Sequence, residues 1–211
     1  NTGLNTQFHV KPRQPFTLYF NDFDKNGSVD PVLCYYINDT AYPAASRDDL
    51  TAQLPMLKKK FLQYSSYANA GIGDLFTGEQ LKDAQVLHAE TMQTVFLQND
   101  NGKGLTEKKL PQEIQYAPIY ALRAMDINHD GKPDLVAAGN QSWTRIKFGR
   151  YRANHGMAFL GNGKNEFVYV PQPQSGLNIR EDVRNAVVLN GDQIVFGVND
   201  GALRLYTTTT R

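Results

Sequence analysis

The sequence is poor in the features that define several classes of protein. It has one cysteine in 211 residues, so no disulfide can form within the chain. No apolar run approaches the ~20 residues of a membrane-spanning helix, and the longest runs have the length of a strand. Lys and Arg (22) nearly balance Asp and Glu (21), which leaves no electrostatic surface for nucleic acid. We therefore expect no transmembrane segment and no nucleic-acid partner.

Signatures of catalysis are also missing. The four histidines have no zinc-site spacing, and neither a GxSxG motif nor a phosphate-binding glycine loop occurs. Cys34 lies in a strand-like run, which predicts a buried small hydrophobe rather than a reactive thiol. The chain starts at Asn1 without a signal-like segment, so we expect a mature or excised part of a longer protein. We expect no enzyme activity.

Internal repeats are what the sequence does have. Leu18–Tyr36 and Leu122–Asn140 align without gaps, each as an apolar strand, an acidic loop and a second apolar strand. Val183–Tyr206 has the same strand–turn–strand order, with a short Asn-Gly-Asp turn that predicts a hairpin. A second element, a hairpin around an Asn/Gly turn, recurs at Phe96–Pro111 and Phe159–Pro173. The pattern predicts a mainly β protein of antiparallel sheets.

A helical insertion is predicted at about 46–84. Ser46 is a suitable N-cap, and four apolar residues follow at helical spacing: Leu50, Leu54, Leu57 and Phe61. This pattern predicts one amphipathic helix bent near Pro55, with Lys58–Lys60 on its solvated face. A short second helix is predicted after Thr77.

Two acidic loops contain the candidate metal ligands of the sequence. In residues 22–30 and 126–134, oxygen-bearing side chains occupy positions 1, 3, 5 and 9, and glycine occupies position 6. Such oxygens suit Ca²⁺, and position 7 would add its backbone carbonyl. Chance matches number on the order of 10⁻³ in ~200 windows at average composition. Because position 12 is Leu33 or Ala137, the bidentate glutamate of an EF-hand is missing. The alternative is a pair of Asx-turn loops without metal.

With its flanking strands and hairpins such as FLGNGKN, the pattern Dx[DN]x[DN]GxxD resembles the FG-GAP/VCBS repeats. This resemblance implies β-propeller-type blades and two calcium sites. It also implies an exported or surface-attached bacterial protein, such as a lipoprotein. The implied ligands are Asp22, Asp24, Asn26, Ser28 and Asp30 in the first loop, and Asp126, Asn128, Asp130, Lys132 and Asp134 in the second. His129, at position 4, is expected to face solvent.

We therefore expect residues 1–211 to form one propeller segment of two to three repeat units. Because this is fewer than the ~4–8 blades of a closed propeller, open sheet edges favour either a longer parent chain or self-association. The predicted function is a non-catalytic, calcium-stabilised surface module for binding or adhesion, with a protein or carbohydrate ligand. The alternative is an accessory or catalytic domain of a carbohydrate-active protein. Trp143, near three cationic residues, is expected to pack in a blade rather than bind a sugar or a carboxylate.

Overall fold

A computed structural model of the chain describes residues 2–209. The protein is mainly β, with 36% strand and 17% helix, as the sequence predicts. Its described residues form two compact units, one of residues 8–92 and the other of residues 93–209 with 2–7. No closed barrel or propeller occurs among the described residues. The prediction of one propeller segment over 1–211 therefore stays a prediction.

The first unit contains one antiparallel sheet in the order β3-β2-β1-β4. Its strands are β1 (Phe16–Asn21), β2 (Asp30–Ile37), β3 (Thr40–Pro43) and β4 (Gln85–Ala89). The first acidic loop joins β1 to β2, and the last residue of β1, Asn21, pairs with Asp30.

Five short helices follow β3, within the predicted insertion. They are α1 (Arg47–Gln53), α2 (Leu57–Lys60), α3 (Tyr64–Ala68), α4 (Ile72–Leu75) and α5 (Gly78–Lys82). Ser46 caps α1 by accepting a hydrogen bond from the Asp49 N–H, and Thr77 caps α5. The prediction of one bent helix is wrong, because the chain leaves the helical path between α1 and α2. Pro55 lies in this interval, has no N–H to donate and clashes with the preceding turn.

The helices supply much of the core of the first unit. The apolar residues predicted for the helix, Leu50, Leu54, Leu57 and Phe61, are all buried and belong to one cluster with residues of the sheet. Cys34 of β2 is fully buried in this cluster, as predicted, and burial raises the pKa of its thiol to about 12. The helical segment is thus a structural layer of this unit.

The second unit contains three antiparallel assemblies: a four-stranded sheet in the order β10-β9-β8-β7, a three-stranded sheet in the order β11-β12-β13 and the hairpin β5-β6. The strands are β5 (Phe96–Asn99), β6 (Leu105–Lys108), β7 (Ile119–Met125), β8 (Asp134–Gly139), β9 (Met157–Gly161), β10 (Phe167–Val170), β11 (Val183–Leu189), β12 (Gln193–Val198) and β13 (Arg204–Thr207). A short helix α6 (Gln172–Ser175) and two 3₁₀ helices (Gln112–Gln115 and Ile146–Phe148) complete the unit.

The predicted hairpins are confirmed in this unit. Strands β5 and β6, β9 and β10, and β11 and β12 form antiparallel pairs. In the last pair, Asn190 and Gly191 have positive φ angles of 53° and 84°, which suits residues that tolerate the left-handed conformation. The larger core cluster of this unit includes Val136 of β8 and Phe196 of β12, so residues from two sheets share one core.

Trp143 does not pack in a blade, and that prediction is wrong. Its side chain is 77% exposed. The chain leaves the sheet after β8, and backbone hydrogen bonds of 2.8 and 2.9 Å between Gln141 and Tyr151 close a loop. Trp143 lies inside this loop and not in a strand, so the alternation of strand side chains does not turn it toward a core. Among residues 2–209, no helix is both long and apolar enough to cross a membrane.

Candidate metal centre

The first acidic loop is a tight reversal held by its own carboxylates. Asp22 accepts hydrogen bonds from the N–H groups of Asn26 (2.9 Å) and Gly27 (2.8 Å). The φ angles of Lys25 (59°) and Gly27 (87°) are left-handed. Glycine adopts this conformation without steric cost, which explains why position 6 of the loop is a glycine. Further bonds run from Asn26 to Asp24 (3.2 Å) and from Ser28 to Asn26 (2.8 Å).

The second loop repeats this geometry. Asp126 accepts from the N–H groups of Asp130 (3.1 Å) and Gly131 (2.9 Å), and positions 3 and 5 accept as in the first loop. His129 and Gly131 have φ angles of 59° and 80°, and His129 is exposed as expected. Met125 pairs with Asp134 in the same register as Asn21 with Asp30. The predicted strand–loop–strand context is confirmed for both loops.

In each loop the carboxylate at position 9 accepts a hydrogen bond from the backbone N–H at position 2. Asp30 accepts a hydrogen bond from the Phe23 N–H (3.1 Å), and Asp134 accepts one from the Ile127 N–H (2.8 Å). The side chains at position 2 point to the core: Phe23 is 3% exposed, and Ile127 packs against the core cluster of the second unit. Each loop is therefore fixed both by its backbone and by an apolar anchor.

The first loop concentrates negative charge. Ligand oxygens of Asp22, Asp24 and Asp30 lie within 4.8 Å of one another, and no other such group of three His, Cys, Asp or Glu occurs in residues 2–209. Asp30 is 4% exposed. Burial raises the pKa of its carboxyl above the ordinary value, and the charges of Asp24 and Asp22 raise it further, against the hydrogen bond from Phe23. A bound divalent cation would relieve this repulsion.

The second loop differs from the first because a lysine of the loop pairs with one of its carboxylates. The Lys132 ammonium lies 3.0 Å from a carboxylate oxygen of Asp130. Hydrogen bonds from Lys132 lower the pKa of that carboxyl. The residue at position 3 is Asn128, where the first loop has Asp24. Because one of its carboxylates already has a positive partner, this loop offers less unbalanced charge to a metal ion than the first.

Asp134 has a second, tertiary role. It is fully buried, and its other carboxylate oxygen accepts a hydrogen bond from the Gly161 N–H of β9 (2.7 Å). Gly161 permits this approach, because a Cβ there would lie 2.1 Å from the carbonyl oxygen of Pro133. Sequence reasoning missed this contact, although Gly161 stands in the hairpin motif FLGNGKN. In the first loop the corresponding oxygen of Asp30 has only a long contact of 3.5 Å from Gln53.

The donor set of both loops fits a hard cation. All predicted side-chain ligands are carboxylates and amides, with no thiolate or imidazole among them, and calcium prefers six to eight such oxygens. The first loop fits better, because its three carboxylates converge and Asp30 has an oxygen without a strong partner. Comparisons with protein-family models, with curated proteins and with solved structures find no match for this chain. The resemblance to FG-GAP/VCBS repeats stays a prediction carried by the loops and hairpins.

The raised pKa of Asp30 predicts how pH affects the calcium-free protein. The folded state binds the Asp30 proton more tightly than the unfolded chain does. The stabilising contribution is therefore present at low pH and is lost as the pH rises through the folded pKa. In EGTA, we expect Asp30→Asn to raise the free energy of unfolding of the first unit at pH 7 and to flatten its dependence on pH. Urea unfolding from pH 4 to pH 7, in buffers stripped of calcium because EGTA loses its affinity in acid, measures both.

The same variant should lose calcium stabilisation, because an amide is a weaker calcium ligand than a carboxylate. Each tenfold loss of affinity removes about 1.4 kcal/mol of stabilisation at saturating calcium. Glu90→Gln is the matched control, since it removes an exposed carboxylate outside the loop. If Asp30→Asn destabilises the calcium-free protein more than this control does, the argument from charge repulsion is wrong.

Proposed function

We propose that this chain is a non-catalytic binding or adhesion module that calcium stabilises, built from propeller-type blades and belonging to a longer extracellular or cell-surface protein. The observation that carries the proposal is the recurrence of one loop geometry. Two loops far apart in sequence have matching hydrogen bonds at positions 1, 3, 5 and 9, and in the first loop three carboxylate oxygens converge within 4.8 Å.

The blade assignment is supported by strand order. Strands β7 to β10 form an antiparallel meander in sequence order, which is the arrangement of a propeller blade. The three-stranded sheet β11-β12-β13 contributes to the same core. Among the described residues its outer strand β13 pairs with β12 alone, so the other edge of β13 is open. We propose that a further strand covers this edge, from the longer chain or from a second copy.

Calcium in this proposal has a structural role. A cation in each loop neutralises carboxylates that the fold brings together, and it fixes the reversal between two strands. A ligand that binds only the folded state stabilises it by about 2.7 kcal/mol at a hundredfold excess over Kd. The rigid loops then present a fixed surface to a protein or carbohydrate.

The experiment that tests this proposal is thermal unfolding in EGTA and in Ca²⁺, with calorimetric titration of the ion. We expect calcium to raise the melting temperature, and peptide-resolved hydrogen exchange to show protection first at residues 22–30 and more weakly at 126–134. Asp24→Asn should remove the response of the first loop only, and Asp130→Asn that of the second. Light scattering of the same samples reports self-association.

Mg²⁺ is the control ion, because it demands a smaller octahedral site and gives up its water reluctantly. Identical melting in EGTA and Ca²⁺, with no heat of binding, would falsify the calcium assignment. The loops would then be Asx turns without metal.

A further inference from the structure

The loop of residues 141–152, between β8 and β9, has an unbalanced composition. It contains four cationic residues and no acidic one, although the 22 Lys and Arg and 21 Asp and Glu of the whole chain nearly cancel. The cationic residues are Arg145, Lys147, Arg150 and Arg152. This concentration of charge of one sign gives the loop a local positive potential.

The tip of this loop also displays apolar side chains. Trp143 is 77% exposed and Ile146 is 100% exposed. Ile146 begins a one-turn 3₁₀ helix that ends at Phe148. Exposing two side chains of this size forgoes the gain from burying them, and they lie three positions apart in a loop whose charges are all positive.

The root of the loop is fixed although its tip is exposed. Buried Asp182 accepts hydrogen bonds from the Ser142 N–H (2.8 Å) and hydroxyl (2.6 Å). Arg184 donates to the Asn140 carbonyl (2.9 Å) and to the Gln141 side chain (2.8 Å). With the backbone pair between Gln141 and Tyr151, these bonds hold both ends of the loop. Less conformational entropy is therefore lost when the tip binds.

Basic residues combined with exposed Trp and Ile match the interface of an anionic bilayer. Arg and Lys are attracted to acidic headgroups, while tryptophan favours the level of the headgroups and aliphatic side chains enter the acyl boundary. We propose that the 141–152 loop docks this protein on an anionic lipid surface, with Trp143 and Ile146 inserted and the four cations on the headgroup phosphates. An acidic polysaccharide would use the cations but would leave Ile146 in water.

This docking goes beyond the proposed function and needs no calcium, so it is tested in EGTA as well as in Ca²⁺. Trp143 is the only tryptophan of the chain, and its fluorescence reports on the loop directly. With vesicles of phosphatidylcholine and phosphatidylglycerol in equal parts, we expect a blue shift and quenching by brominated acyl chains. Vesicles of phosphatidylcholine alone should give neither, and added salt should reverse the binding.

Substitutions in the 141–152 loop test which side chains contact the vesicle. Ile146→Ser should weaken vesicle binding roughly tenfold through lost apolar insertion, and Arg145→Gln or Arg150→Gln roughly fivefold each. The matched controls are Leu203→Ser and Lys164→Gln, which lie outside the loop and should bind as the parent protein does. Circular dichroism checks that each variant is folded.

Three outcomes would overturn the proposal. The first is that anionic vesicles neither shift the Trp143 emission nor sediment with the protein. The second is that the loop variants and their controls weaken binding equally. The third is that a soluble acidic polysaccharide shifts the emission while the vesicles do not, which would assign the loop to a polyanion. Every vesicle-binding experiment is also run in EGTA. A negative result therefore bears on membrane docking and not on the proposed calcium sites.

Discussion

Replacing Asp134 with alanine is expected to lower the free energy of unfolding of the second unit by roughly 2–6 kcal/mol in EGTA. The carboxylate accepts from two backbone N–H groups, those of Ile127 (2.8 Å) and Gly161 (2.7 Å), and it is fully buried. A buried donor left without a partner costs about 1–3 kcal/mol, and alanine leaves two. Urea unfolding, with hydrogen exchange to identify the unit, measures the loss.

Asp30→Ala is the matched comparison, at the same position of the first loop. Asp30 accepts one backbone hydrogen bond, of 3.1 Å, and stands among like charges, so in EGTA its removal should cost the first unit less than Asp134→Ala costs the second. Equal losses at the two positions would contradict the tertiary role of Asp134. Asp134→Asn should also destabilise, because its amide nitrogen would oppose one of the two N–H donors.

The second large effect is expected at Gly161. A Cβ there would lie 2.1 Å from the Pro133 carbonyl oxygen and 3.3 Å from the ring of Phe167. The closer atom belongs to the backbone, so relief requires β9 to move away from the second loop. Overpacking of a buried site typically costs 1–3 kcal/mol, and the hydrogen bond to Asp134 is strained as well. We expect Gly161→Ala to destabilise the second unit by about 2–4 kcal/mol in urea unfolding.

Gly104→Ala is the control for this substitution. A Cβ at Gly104 meets no atom within 4 Å, and the residue has no positive φ. Its change should stay within about 0.5 kcal/mol. A double-mutant cycle of Gly161→Ala with Asp134→Ala should be non-additive, because both variants disrupt one contact. Strictly additive losses would show that the Gly161 effect is steric alone.

Features that depend on neighbours in the sequence were predictable. The acidic loops, the hairpin at Asn190 and Gly191 and the caps Ser46 and Thr77 follow from residues a few positions apart. The antiparallel, mainly β fold followed from the alternation of these elements. Local chemistry decides such features, and a single sequence contains it.

Features that depend on distant residues were not predictable. The Asp134–Gly161 contact joins a loop to another strand, and nothing in the spacing of the sequence indicates it. The exposure of Trp143 was missed because an aromatic residue near a strand is more often buried, whereas here the chain leaves the sheet before it. The break between α1 and α2 shows that Pro55 ends a helix that the apolar spacing alone would continue.

The anchoring of the first loop limits what can be transplanted from this protein. The Phe23 ring stacks on Phe76 from the helical layer, with ring centroids 3.8 Å apart, and Gln80 of α5 donates to the Phe23 carbonyl (3.1 Å). The conformation of the loop of residues 22–30 therefore depends on residues outside the loop. A graft of this loop into another hairpin must therefore include equivalents of Phe76 and Gln80. Without them the loop loses the contacts that hold its conformation in this protein.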